Sequence, residues 1–182
     1  KVYEEERELN VMLAVDASGS GQFGSNEKYK SEIAAEISAL LAFSAIRNND
    51  KVGLLIFTDK IEKYIPPQKG RSHVLRVIRE ILYFTPESNQ TSINTGLEHL
   101  LHVLKRHSIV FLISDFEDKG YFKSLKILNK KHDTIAIHTV DKREKEIPNL
   151  GLVKFQDAET GKEITINTND EESKRQYIEY IE

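Results

Sequence analysis

The sequence predicts a three-layer α/β fold, with a mainly parallel central sheet, helices on both faces, and a C-terminal β-hairpin and helix. Three observations predict it. Strand and helix signals alternate along most of the chain, which calls for right-handed crossovers between parallel strands. The segments Leu9 to Val15 and Ser108 to Ile113 are almost wholly apolar, as strands buried on both faces are. The C-terminal stretch breaks the alternation with two short strand signals around a turn.

Leu9 to Val15 ends on Asp16, the pattern of a central strand. A Gly- and Ser-rich loop, Gly19 to Ser25, leads into a helix whose stripe is Ile33, Ile37, Leu40, Leu41 and Ala45. Lys51 to Thr58 is the second strand and Ile61 to Ile65 its hairpin partner, with Pro66 and Pro67 expected to break the pattern. Ser72 is the expected N-cap of a helix carrying Val74, Val77, Ile78, Ile81 and Leu82. The next helix begins near Ser92 to Thr95, with Leu97, Leu100, Leu101 and Leu104 as its stripe. Ser108 to Ile113 ends at Ser114 and Asp115. A helix over roughly Tyr121 to Lys130 and a strand over Thr134 to Val140 follow. Leu152 to Gln156 and Glu163 to Asn167 form the expected hairpin around Glu159-Thr160-Gly161. Asp170 then caps a charged helix with Tyr177, Ile178 and Ile181. No repeat or low-complexity segment interrupts the chain, so residues 1–182 are expected to form a single domain.

Composition excludes several classes. With 182 residues, 39% hydrophobic and 30% charged, the chain has the profile of a soluble globular domain. A net charge of −3 gives no footprint for nucleic acid or an anionic membrane. No apolar run approaches the roughly 20 residues that span a bilayer. The absence of cysteine excludes disulfides, zinc–thiolate sites and thiol catalysis. Because the chain starts at Lys1 and Glu4-Glu5-Glu6 lead directly into a strand, it reads as a piece of a longer protein. Any membrane anchor would then lie outside it.

In an open parallel sheet, ligands bind beyond the carboxyl ends of the strands, where strand order reverses. Asp16 and Asp115 each close a strand there. Asp16-Ala17-Ser18-Gly19-Ser20 is a D-x-S-x-S pattern, whose alternate spacing on a tight loop lets oxygen groups converge on one point. Thr91, in the loop before the Leu97 helix, brings another hydroxyl from a second direction. The candidate metal ligands are therefore Asp16, Ser18, Ser20, Thr91 and Asp115. An all-oxygen set favours Mg²⁺, Mn²⁺ or Ca²⁺ over zinc or copper, and a shell with few direct carboxylates suits Mg²⁺ in particular. Hydroxyl ligands leave such an ion electrophilic, so a partner's Asp or Glu carboxylate is a natural further ligand.

These five residues, in this order, resemble the von Willebrand factor type A fold, a Rossmann-like sandwich, and its metal-ion-dependent adhesion site. The resemblance implies that Ser18, Ser20 and Thr91 contact the metal and that Asp16 and Asp115 act mainly through waters. One coordination position would stay open for a partner carboxylate. Further runs, among them Tyr3-Glu4-Glu5-Glu6-Arg7-Glu8-Leu9, Ile113-Ser114-Asp115-Phe116, Lys131-His132-Asp133 and Ile147-Pro148-Asn149-Leu150-Gly151, look like the bacterial family called domain of unknown function 58. That resemblance covers nearly the whole chain. It implies a cytoplasmic protein-interaction module acting with a MoxR-type AAA+ ATPase in chaperone-like assembly. Where many relatives follow the metal loop with Ser-Met, this chain has Ser20-Gly21-Gln22-Phe23-Gly24, a longer polar rim.

The contrasting class is a metal-dependent phosphohydrolase on a similar scaffold. A dehalogenase-type phosphatase needs a second Asp two residues after the first as acid/base, and that position is Ser18. No G-x-S-x-G elbow and no Walker A loop is present. Non-catalytic binding is therefore the expected activity. The six histidines are expected to be structural. Glu117 and Asp118 read as charges at the start of the helix that follows them, and Asp141 to Glu146 as a solvated loop.

Overall fold

The computed structural model describes residues 8–18, 27–139, 151–156, 163–173 and 175–176. The chain divides into two compact units, residues 1–139 and residues 140–182. The first contains β1 (Asn10–Asp16), α1 (Glu27–Arg47), β2 (Lys51–Phe57), β3 (Ile61–Gln68), α2 (Arg71–Leu82), α3 (Ile93–Val103), β4 (Ile109–Ser114), α4 (Phe122–Lys131) and β5 (Asp133–His138). The second contains the antiparallel hairpin β6 (Leu152–Gln156) and β7 (Glu163–Asn167). In the second unit, Asp170 accepts from the Ser173 amide at 3.1 Å and so caps a helical turn, as expected. The expected apolar residues of that helix, Tyr177, Ile178 and Ile181, lie outside the described residues, as does the Asp141 to Glu146 segment.

The sheet of the first unit has five strands in the order β3-β2-β1-β4-β5. β1, β2, β4 and β5 run parallel, and only β3 is antiparallel. Successive side chains of a strand face opposite ways, so β1 feeds two cores. Leu13 and Val15 pack with Val52, Leu54 and Ile56 beneath α1 and α2. Met12 and Ala14 pack with Leu55, Phe57 and Leu112 beneath α3 and α4, where Ile93, Leu97, Leu100 and Leu128 are fully buried. The mainly parallel sheet between two helix layers is the predicted architecture.

Three local expectations change. The buried face of α1 is lined by small residues, Ala34, Ser38, Ala42 and Ala45, with Ile37 and Leu41 beside them. Leu40 lies off that face and is 70% exposed. Helix α2 starts one residue before Ser72, after Gly70. Gly70 adopts φ 104° and provides the N-cap without a side-chain bond, so Ser72 is inside the helix. The left-handed conformation is open to glycine without the steric cost of a Cβ. Strand β3 continues through Pro66 and Pro67 to Gln68. Proline is tolerated there because β3 is an edge strand, with no partner on its outer side among the described residues to need the missing N–H.

Helix α1 ends where its carbonyls find substitutes for the helical ladder. The Asn49 amide donates to Ile46 O and the Asp50 amide to Ala45 O, with Asn49 at φ 58°. This is a Schellman-type closure with asparagine in the left-handed position. Asp50, buried by the same turn, accepts from the Leu9 amide at 3.0 Å and secures the entry to β1.

Candidate metal centre

Parallel pairing brings the carboxyl ends of β1, β2 and β4 to one edge. Asp16 is in register with Phe57, and Val15 with Ile113. From β1 the chain fills one side of the sheet with β2 and β3, then crosses to β4 and β5 on the other. The β1–β4 boundary is therefore the switch point, and Asp16 and Asp115 flank it.

Asp16 is held by both carboxylate oxygens. Oδ1 accepts from the Ser18 amide at 3.0 Å, which bends the chain sharply after β1. Oδ2 accepts from Ser114 Oγ at 2.7 Å across the β1–β4 boundary. Burial pushes the Asp16 carboxyl above its usual range; the bonds from Ser114 and Ser18 oppose that shift, and nearby Asp115 adds to it. Ser18 is buried beside it, and Ala17 is fastened to β2 through its amide on Phe57 O at 2.9 Å. Ser20 lies outside the described residues.

Asp115 follows β4 and shapes its own loop. Its Oδ1 accepts from the Glu117 amide at 3.2 Å, while the Phe116 amide donates to Ser114 Oγ at 2.9 Å. Phe116 has φ 59°, a strained conformation for a bulky residue. Its ring is held edge-on to His138, with centroids 5.8 Å apart, and tilted against Tyr121 at 6.1 Å.

Thr91 reaches the same edge from α3. The next amide, that of Ser92, donates to Thr58 O at 3.1 Å, one residue beyond Phe57. Ser92, within the stretch where the sequence places the start of α3, is its N-cap and accepts from the Thr95 amide at 3.3 Å. Asp16, Ser18, Thr91 and Asp115 thus belong to three loops gathered at one end of the sheet. Among the described residues no three His, Cys, Asp or Glu side chains are placed to hold a metal. Ser18 and Thr91 bring hydroxyl oxygens to this edge beside the Asp16 and Asp115 carboxylates. Each Asp16 oxygen accepts a bond from a protein donor, which fixes the orientation of the carboxylate at this edge.

Two residues carry roles that sequence reasoning missed. Ser114 was legible only as the end of a strand, although a hydroxyl closing an otherwise apolar buried run was a signal. Asp118 does not serve the helix after it. Its Oδ2 accepts from the Ile93 amide at 2.8 Å, at the start of α3. No local pattern announces that, because the residues are 25 apart in sequence. Two histidines lie away from this edge, His99 edge-on to Tyr64 and His132 buried at the end of α4, whereas His138 pairs in register with Ser114 and packs against Phe116 beside the site.

The mainly parallel sheet with helices on both faces is a von Willebrand factor A-like fold, which the solved structures it resembles share. An aerotolerance-related membrane protein from Bacteroides fragilis aligns with TM-score 0.62 at 18% identity, over 88% of this chain and 82% of its own. BatB from Bacteroides thetaiotaomicron aligns with TM-score 0.60 at 15% identity, over 92% and 84%. Proximal thread matrix protein 1 from the mussel byssus, with its metal-ion-dependent adhesion site occupied by zinc, gives TM-score 0.56 at 20% identity, over 72% and 38%. At these identities the likeness is one of fold.

The chain belongs to the DUF58 family, proteins of unknown function, whose model matches residues 1–181. The uncharacterized protein Rv1480 of Mycobacterium tuberculosis (strain H37Rv) is 28% identical over 159 residues, 86% of this chain and 50% of the relative. The uncharacterized protein MAV169 of Mycobacterium avium is 30% identical over 108 residues, 57% of this chain and 64% of the relative. The chain therefore spans about half the length of the first of these relatives. No helix among the described residues is long and apolar enough to cross a membrane.

Proposed function

We propose that this domain is a metal-dependent protein-interaction module and not an enzyme. Asp16, Ser18, Ser20, Thr91 and Asp115 would hold one divalent cation, Mg²⁺ by preference with Mn²⁺ or Ca²⁺ as substitutes, and a partner's Asp or Glu would complete its shell. Bound there, the ion supplies an electrophilic position for that carboxylate. The observation that carries the proposal is the 2.7 Å bond from Ser114 to Asp16, which ties the ends of β1 and β4 and keeps two carboxylates at one edge. Like charges held together in a partly buried site favour a cation between them. The family resemblance extends the proposal to a MoxR-type AAA+ ATPase as the partner machine, in chaperone-like assembly in the cytoplasm.

Titration calorimetry with Mg²⁺ and with Mn²⁺ tests the site. Wild-type protein is expected to bind at least one of the two, and Asp16→Ala to lose that binding. No heat with wild type, or equal affinity in Asp16→Ala, would sink the metal assignment. Capture of the ATPase on immobilised domain should fail in EDTA; a complex indifferent to chelator removes the carboxylate bridge. Turnover of a phosphate ester that vanishes in Asp16→Ala would instead make the protein a phosphohydrolase.

A further inference from the structure

The segment that carries Thr91 has little regular structure of its own, and its position is set by bonds to other elements. The Glu87 and Ser88 amides both donate to Glu62 Oε1 on β3, each at 3.2 Å. The Ser92 amide goes to Thr58 O after β2, and the Ile93 amide to Asp118 Oδ2. Of these acceptors, only Asp118 lies in the loop that carries Asp115.

The path from Asp115 to Asp118 is short and tightly turned. Phe116 takes φ 59°, and the Asp118 amide returns to Phe116 O at 2.9 Å. Asp118 Oδ1 accepts from the Lys119 amide at 2.6 Å, which leaves Oδ2 to cross to α3. There it meets an amide that has no partner within its own helix, on a residue whose side chain is fully buried. The negative charge also faces the positive end of the α3 dipole. Ser92 satisfies a different amide, that of Thr95, so the two caps do not duplicate each other.

We propose that Asp118 is a positioning residue for the metal centre: its bond to the Ile93 amide sets the spacing between the Asp115 and Thr91 segments, so that both face one ion. This rests on the metal-dependent function proposed above. Supporting groups of this kind typically change metal affinity by about 10–100-fold when removed.

The test is Mn²⁺ affinity by calorimetry, well below every variant's melting temperature. Asp118→Ala is expected to bind Mn²⁺ about tenfold more weakly than wild type or worse. Asp118→Asn, which keeps an oxygen acceptor for Ile93, is expected to recover most of the loss. Leu100→Val, in the buried face of the same helix, is the control; it should lower the melting temperature and leave affinity within about twofold, as distant, independent sites do. Wild-type affinity in Asp118→Ala, or a loss matched by Leu100→Val, overturns the positioning role alone. A wild type that takes no Mn²⁺ overturns the metal centre and this role together. Should Asp118→Ala fail to fold, Asp118→Glu displaces the carboxylate by one methylene. It is expected to weaken Mn²⁺ severalfold, and unchanged affinity would count against the proposal.

Discussion

A serine hydroxyl can donate one hydrogen bond and accept others, and Ser114 uses both capacities. It donates to Asp16 Oδ2 and accepts from the Phe116 amide, all at the end of a buried strand. One side chain thus joins β1 to β4 and supports the strained residue after Asp115. Replacing it leaves a partly buried carboxylate and a partly buried amide each short of a partner. Ser114→Ala is expected to lose about 1–3 kcal/mol of unfolding free energy in urea titrations. A change below about 0.5 kcal/mol, the scale of ordinary surface substitutions, would mean that water replaces the hydroxyl. The candidate ligands Asp16, Ser18 and Asp115 were legible in the sequence as residue types at or just after strand ends, and Thr91 as a hydroxyl in the loop before α3. Ser114 and Asp118 were not, because their importance lies in partners 98 and 25 positions away.

At the scale of elements, the approach of α3 to the sheet decides where Thr91 sits. Gly96 faces Phe57, and a Cβ at Gly96 would lie 2.9 Å from the ring. Glycine therefore lets the first turns of α3 settle directly onto the end of β2, next to Asp16 in the register. Gly96→Ala gains helix propensity but forces helix and ring apart. Overpacking of this kind costs about 1–3 kcal/mol, and the net effect on the melting temperature is expected to be a decrease. An unchanged or higher value would show that Phe57 yields without cost. Helical periodicity had located α3 and its stripe within a residue or so. It had also admitted Leu40 to the buried stripe of α1, since spacing alone does not reveal which flank the neighbouring α2 covers. The prolines of β3 misled for a related reason: their tolerance depends on the strand being at an edge, which is a property of the sheet.

At the scale of the whole molecule, stability is expected to depend on pH through histidine. His132 is buried between α4 and β5, with neither ring nitrogen hydrogen-bonded. Burial, then the nearby His107 and Lys131, hold its pKa below the ordinary imidazole value. Opposite His107 stands Asp133 at 3.6 Å, a surface contact exposed on both sides. His99 is likewise lowered, first by burial and then by His102. Below about pH 6.5 the unfolded chain takes up protons at these positions while the folded chain resists them. Unfolded protein then binds more protons, so stability falls as pH drops through that value and is regained above it. In urea titrations between about pH 7 and pH 5, His132→Leu is expected to flatten the decline. Identical slopes in wild type and variant would remove His132 as a cause.

By itself, the sequence determined the order and type of the elements, because apolar periodicity and turn residues are local signals. It also determined the chemistry available at the strand ends, since Asp16, Ser18, Ser20, Thr91 and Asp115 are oxygen donors wherever the fold puts them. The tertiary structure alone decided that loops distant in the chain share an edge, that Ser114 locks Asp16 to β4, and that Asp118 reaches back to α3. Those contacts follow from strand order and register, which arise only when both faces of the sheet are buried at once. The metal centre proposed for this edge is therefore written locally as candidate ligands and globally as the spacing between them.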